Sequence, residues 1–307
     1  MTSLPHRLPL RLGTRASALA MAQATETARH LCQQLDLEPD AISIHPMTTS
    51  GDKHLEGSLT EIGGKGLFTK ELEEALMHQQ IDFAVHSLKD MATALPAGLI
   101  IAAVLPREDV RDALLSNHEG GIEGLPHGAQ VGTASLRRAA QMLHQRPDLR
   151  ITPLRGNVAT RIAKLRRGEV DATLLAVAGL KRLGLWEESG AQLLEINQFL
   201  PAVAQGAIAL QCHQDNIALR EILSSINHRD SFDAITAERA MLRVLDGSCR
   251  TPIGGYAMCI GDQFHLRGQW LSDDGQQSFT AQQTADRLSL DALGESVGRA
   301  ILAQIPV

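Results

Sequence analysis

The chain has 307 residues, 44% of them apolar and only 3% aromatic, and its formal net charge is −6. That length exceeds one ordinary core, so two or three domains are expected. The acidic balance speaks against a nucleic-acid partner, and no apolar run approaches the length that crosses a membrane. The amino terminus carries positive charge without a continuous apolar stretch behind it. No export signal is therefore expected, and a cytoplasmic location is. Cys32, Cys212, Cys249 and Cys259 form no Cys-x-x-Cys pattern and have no histidine spacing that suits zinc. Free thiols in a reducing compartment, and no metal site, are the expectation.

Residues 8–13 read as a short strand, and Gly13-Thr14-Arg15-Ala16-Ser17 as the turn into an alanine-rich helix that reaches about Leu35. Thr14 or Ser17 can cap that helix, which puts Arg15 at its mouth. A second strand follows at 41–47. Between 48 and 66 the pattern dissolves into glycines and charges, as in a mobile loop that covers an active site. Helical spacing returns over 67–78. Phe83-Ala84-Val85 then reads as a buried strand with His86, Ser87, Lys89 and Asp90 at its carboxyl end, where open α/β sheets bind ligands. A carboxylate beside a lysine there is a candidate general acid/base, and equally a cap on the next turn.

Residues 99–104 make another strand, and the charged break at 106–112 reads as a crossover. Cations crowd residues 131–167: Arg137, Arg138, Arg146, Arg150, Arg155, Arg161, Lys164, Arg166 and Arg167, with Asp148 the one acid among them. A local guanidinium excess on an acidic chain points to a small polyanion. Arg137 and Arg138 fall in the first turn after a strand-to-helix junction, and Arg155-Gly156-Asn157 opens a second junction. Helix N-termini offer free N–H groups, and arginine adds a planar fork matched to a carboxylate. Arg137, Arg138, Arg155 and Arg161 are therefore assigned to a ligand. Arg146, Arg150, Arg166 and Arg167 are assigned to ordinary surface pairs.

A strand at 172–175 and a helix ended by Gly184 follow. Residues 200–206 form a second hinge-like passage. A strand at 208–211 and a helix at 216–226 return to the first domain. Two alternating β/α lobes joined by two crossovers would enclose a cleft faced by helix mouths. The remainder differs: a helix over 232–245, three strand-like runs at 256–260, 264–270 and 277–284, and a closing helix at 288–305. That is a small α+β domain with an antiparallel sheet. The expected boundaries are 1–105 with 207–226 returning, 106–206, and 227–307. Cys249 sits in a glycine-flanked loop between helix and sheet, ahead of Arg250, and is a candidate attachment or nucleophile site. Cys32, Cys212 and Cys259, on helix or strand, are read as inert.

In this order the motifs Gly13-Thr14-Arg15-Ala16-Ser17, Gly64-Lys65-Gly66-Leu67-Phe68-Thr69-Lys70-Glu71, Val85-His86-Ser87-Leu88-Lys89-Asp90 and Gly132-Thr133-Ala134-Ser135-Leu136-Arg137-Arg138 carry a resemblance. Leu154-Arg155-Gly156-Asn157, Leu180-Lys181-Arg182-Leu183-Gly184 and Cys249-Arg250-Thr251-Pro252-Ile253-Gly254 complete it. Over nearly its whole length the chain resembles the porphobilinogen deaminase family. The resemblance implies an α/β fold with two lobes like those of periplasmic binding proteins, plus the small C-terminal α+β domain.

It also implies a dipyrromethane cofactor thioether-linked to Cys249, on which porphobilinogen units are joined head to tail with loss of ammonia before a linear tetrapyrrole is freed. By position, Asp90 is the catalytic carboxylate. Ser87, Lys89, Ser135, Arg137, Arg138, Arg161 and Arg182 match cofactor contacts, and Arg15, Ser17, Lys65 and Arg155 match substrate contacts. No nucleic-acid or membrane partner and a monomeric state go with it. Glu61, Ala134, Ser248 and Gln211 depart from the usual pattern, as does Met91-Ala92. Two other readings fit the residues: a two-lobed receptor for a polycarboxylate, and a family member that keeps the cofactor without turnover.

Overall fold

The computed structural model of the chain describes residues 8–53, 68–245 and 251–306. In chain order the elements are β1 (Leu10–Arg15), α1 (Ala18–Leu35), β2 (Ile42–Met47), α2 (Ser50–Lys53), α3 (Lys70–Met77), β3 (Phe83–Ser87) and β4 (Leu99–Val104). They continue with β5 (Asp112–Ser116), β6 (Gln130–Gly132), α4 (Leu136–Gln145), β7 (Arg150–Thr152), α5 (Val158–Arg166), β8 (Ala172–Ala176), α6 (Val177–Arg182) and β9 (Gln192–Leu193). Last come β10 (Ile208–His213), α7 (Ile217–Ser224), α8 (Arg229–Val244), β11 (Ile253–Ile260), β12 (Gln263–Leu271), β13 (Ser278–Asp286) and α9 (Leu290–Leu302). Most expected elements lie within three residues of these bounds. The strand β5 was not expected, because its first residue, Asp112, closes the charged run read as a crossover.

The first compact unit is built from the described residues of 1–56, 64–108 and 206–232. Its sheet has the order β2-β1-β3-β10-β4, with β1 parallel to β2 and β3, and β10 antiparallel to both β3 and β4. Strands buried on both faces read as continuous apolar runs, and β3 shows which face is which. Phe83 and Val85 pack with Ala24 and Leu31 of α1 and with Leu219, Ile222 and Leu223 of α7. Ala84, pointing the other way, packs with Leu72, Ala75 and Leu76 of α3. The period of two then sends Ser87 to the α1 side and His86 to the α3 side.

The second unit contains the described residues of 109–205 and 233–307. Its five-stranded sheet has the order β7-β6-β8-β5-β9, again with a parallel trio followed by a strand antiparallel to both neighbours. The small C-terminal domain is the antiparallel sheet β11-β12-β13, with α9 packed on it. Gly294 lets α9 approach α8, since a Cβ there would stand 2.2 Å from the Ala237 carbonyl oxygen. The buried Glu238 of α8 joins two segments by accepting from Ala204 N at 2.7 Å and from Ala257 N at 2.8 Å.

The segments around Glu108 and Gly206 run side by side, and Glu108 N donates to the Gly206 oxygen at 3.3 Å. Gly206 has φ +87, and an added Cβ would meet the Glu108 oxygen at 2.4 Å. Both a left-handed backbone and a backbone clash therefore oppose any side chain. Gly206→Ala should lower the unfolding free energy by about 2 kcal/mol or more. Gly190→Ala, at φ +62 with no atom within 4 Å, should cost only about 1 kcal/mol of backbone strain. Denaturant unfolding of both variants checks this, and equal costs would remove the close approach as an explanation.

Candidate active site

In the first unit, the parallel strands β1 and β3 end next to each other. After β1 the chain turns into α1, which Ser17 caps by accepting from Ala20 N at 3.3 Å. After β3 comes a single 3₁₀ turn, Leu88–Asp90. One cavity is lined by Arg15, Ser17, Gln23, His86, Ser87 and Asp90, with Phe68 and Thr69 ahead of α3. Four of the residues expected from the sequence, Arg15, Ser17, Ser87 and Asp90, thus meet. Lys89 shares the turn with Asp90. The Arg15 guanidinium lies over the Phe68 ring, 4.3 Å from its centre, a contact that helps to hold the cation in place. Gln23, absent from the expected set, donates from Nε2 to Ser87 Oγ at 2.8 Å and is itself buried.

His86 lies in the same cavity wall, 5% exposed. Its Nε2 is 3.0 Å from Gln211 Oε1, and Gln211 Nε2 in turn donates to Glu73 Oε1 at 3.3 Å. Burial pulls the imidazole down to about 4, the bond to Gln211 opposing and the charge of Arg15 adding. The ring is therefore neutral near pH 7.

In the second unit the carboxyl ends of β6, β7 and β8 each feed a helix. Ser135 caps α4 and accepts from Arg138 N at 3.4 Å. Asn157 caps α5 and accepts from Thr160 N at 2.9 Å. Gly156 makes the turn before it at φ +120, where a Cβ would press on Thr160 at 2.7 Å. Arg155 precedes that turn, Arg161 donates from Nε to the Gly156 oxygen at 2.9 Å, and Arg182 ends α6. Arg146 pairs with Asp148, and Arg167 with Glu169, while Arg150 and Arg166 are exposed. Arg150, Arg166 and Arg167 lie on the surface, as the sequence suggests, whereas Arg146 is half-buried and also donates to the backbone oxygens of Ile122, Glu123 and Leu125.

Arg137 and Arg138 differ from the open forks expected of them. Both are buried, and both turn onto Asp112, which is 0% exposed at the start of β5. Arg138 donates to Asp112 Oδ1 from Nη2 at 2.7 Å and from Nε at 3.1 Å, and to the Leu174 oxygen at 2.9 Å. Arg137 Nη1 donates to the Leu200 oxygen at 2.8 Å and lies 2.7 Å from Asp112 Oδ2. The latter approach is off the line of a hydrogen bond, so Asp112 Oδ2 and Arg137 Nε are left without one. Burial raises the Asp112 carboxyl, but the charges of Arg137 and Arg138 and the hydrogen bonds from Arg138 outweigh it and hold the group well below the usual carboxylate range. Two guanidiniums on one carboxylate leave a buried cluster with an excess positive charge.

Cys249 and Lys65 lie outside the described residues, as do Glu61 and Ser248. Of the other thiols, Cys212 is pushed up by burial to about 11, and Cys32 is raised by burial too. Neither is poised as a nucleophile. Among the described residues, no three His, Cys, Asp or Glu side chains gather as metal ligands, and no helix is long and apolar enough to cross a membrane. A groove of about 300 Å³ beside α5, lined by Ala159, Ile162 and Leu185 among others, contains none of the expected site residues.

Residues 10–221 match the family model for porphobilinogen deaminase, dipyromethane cofactor binding domain, and residues 232–303 match that for its C-terminal domain. The chain belongs to the porphobilinogen deaminase family. It is 49% identical to the porphobilinogen deaminase of Nitrobacter hamburgensis over 94% of this chain and 91% of that one. With the porphobilinogen deaminase of Paracoccus denitrificans it shares 47% identity over 100% and 98%. Among solved structures it is similar to the periplasmic aliphatic sulphonate binding protein of Escherichia coli, at 14% identity and a TM-score of 0.40 over 76% of this chain and 69% of that one.

The porphobilinogen deaminase cofactor is a dipyrromethane bearing carboxylates, and the donor set here fits such a group. Arginines and helix mouths, two of them capped by side chains, follow three parallel strands, and the Asp112 cluster has positive charge to spare. Removing the one carboxylate in that cluster should leave two buried guanidiniums facing each other. Asp112→Asn should therefore cost about 3–5 kcal/mol in denaturant unfolding. A loss under about 1 kcal/mol would mean that solvent, not Asp112, balances the pair.

Proposed function

We propose that this chain joins four porphobilinogen units head to tail on a dipyrromethane primer attached through Cys249, releasing ammonia at each addition and then freeing the linear tetrapyrrole. The primer, when bound, supplies the pyrrole carbon to which each new unit is joined. Asp90 is the catalytic residue. Its carboxylate handles pyrrole N–H protons and stabilises the electron-deficient ring that forms when a substrate unit loses ammonia. Arg15, Ser17, Arg155 and Lys65 hold substrate carboxylates. Ser87, Lys89, Ser135, Arg137, Arg138, Arg161 and Arg182 hold the cofactor, and residues 227–307 act as the domain that carries it. The protein works as a cytoplasmic monomer without nucleic-acid or membrane partners.

The observation that carries this reading is one carboxylate, Asp90, in a cavity wall with Arg15 and two serines. A pocket built only to bind polycarboxylates gains nothing from a carboxylate of its own, since like charges repel at several kcal/mol in a partly buried site. A proton-handling group is useful there only if chemistry occurs. Each added ring brings further carboxylates, and burying them unpaired would cost several kcal/mol apiece, so guanidiniums are needed in proportion.

Asp90→Asn keeps shape and hydrogen-bonding reach while removing the charge. Single-turnover consumption of porphobilinogen by cofactor-loaded protein should fall by about 10²–10⁴, while substrate affinity is kept or rises. Asp90→Glu should retain part of the rate. Near-normal turnover in Asp90→Asn, or weaker binding with an unchanged rate, would make Asp90 a structural cap and favour the receptor.

A further inference from the structure

We propose that His86 accepts a hydrogen bond at Nδ1 from a pyrrole N–H, belonging either to the cofactor or to porphobilinogen. This rests on the function proposed above and adds a recognition residue to it.

The tautomer follows from the neighbours. Gln211 donates its amide nitrogen to the carboxylate oxygen Glu73 Oε1 at 3.3 Å. The Gln211 oxygen then faces His86 Nε2 at 3.0 Å, and Nε2 must carry the proton. Glu73 of α3 and Gln211 of β10 thereby set the proton on a ring of β3 by two successive bonds. In the neutral ring that leaves Nδ1 with a lone pair. His86 has no other described hydrogen bond, is 5% exposed, and forms part of the cavity wall with Arg15, Ser87 and Asp90.

An acceptor on a cavity wall loses access to water when a ligand fills the cavity, and it then needs a donor from that ligand. The charge of Arg15 acts on His86 and disfavours an ammonium beside it, so a neutral N–H is the better partner. Pyrrole rings offer one each. Burial and Arg15 keep the ring from taking up a proton near pH 7, so His86 recognises the N–H without competing with Asp90 for its proton.

Two variants separate recognition from scaffolding. In His86→Gln the amide reaches the former Nε2 position, which keeps the link to Gln211 and gives up the Nδ1 acceptor. In His86→Asn the amide lies near the former Nδ1 and the link is lost. The readouts are the fraction of denatured chains carrying the dipyrromethane mass, KM for porphobilinogen, and melting temperature. We expect His86→Gln to melt like wild type yet lose about fivefold to tenfold in cofactor loading or in KM. Loss of loading assigns the cofactor as donor, and loss in KM assigns the substrate. His86→Asn should melt lower but keep more of the affected property. A fully loaded His86→Gln with wild-type KM would overturn the inference and leave His86 as an anchor for α3.

Nitrogen NMR of ¹⁵N-histidine wild-type protein gives a second reading that needs no variant. Nδ1 should be the unprotonated ring nitrogen, and its signal should move on cofactor loading or on addition of porphobilinogen. A protonated Nδ1, or a signal that moves in neither case, also overturns it. If wild-type protein carries no adduct and consumes no porphobilinogen, the proposed function itself fails. A loaded, active wild type beside an unaffected His86→Gln sinks only His86.

Discussion

Charge buried out of balance is the constraint on which the second lobe depends. Arg137 and Arg138 sit in the first turn of α4, where a guanidinium would ordinarily extend to water, and both are buried instead. One carboxylate, Asp112, answers them, helped by Gln205 Nε2 at 3.1 Å and by the carbonyls of Leu174 and Leu200. Burial pulls the Arg137 guanidinium below its usual range, with Asp112 resisting and Arg138 adding to the pull. A cluster with positive charge to spare is most stable when an anion completes it. Positive charge is thereby concentrated in one buried cluster even though the overall charge is negative.

The first lobe treats charge differently. Its cavity combines a cation, a carboxylate, hydroxyls and a neutral imidazole at the carboxyl ends of two parallel strands. Both lobes use the same plan, a parallel trio followed by a strand antiparallel to its neighbours, and in each the helix mouths follow the parallel strands. Helix N-termini supply N–H groups wherever that plan is used, so chemistry is assigned by the few side chains added at each mouth. Arg15 and Asp90 stand at one lobe's strand ends, and Arg137, Arg138, Arg155 and Arg161 at or near the helix mouths of the other.

Much of this was visible in the chain. Apolar runs such as Phe83-Ala84-Val85 and capping signals such as Ser17 and Asn157 are local, and local signals placed most elements and both arginine-bearing turns. Long-range partners were not visible. Asp112 reads as the last charge of a surface break, and only the pairing of β5 with β8 puts it under α4. Because that carboxylate was hidden, Arg137 and Arg138 read as open forks. Gln23 was missed, and His86 was named at the strand end but given no role, for the same reason: each depends on a neighbour 64 or 125 residues away, Ser87 and Gln211. Sequence spacing shows which residues end a strand, but not which residue of a distant strand stands opposite.

The central claim is that turnover occurs on a primer held by one cysteine. It is tested most directly by the intact mass of the denatured wild-type protein, followed by the mass of the peptide that contains Cys249. The account predicts an addition equal to one dipyrromethane, found on that peptide and stable to unfolding. An unmodified chain after expression alongside a porphobilinogen supply, or an adduct on the peptides of Cys32, Cys212 or Cys259, would contradict it.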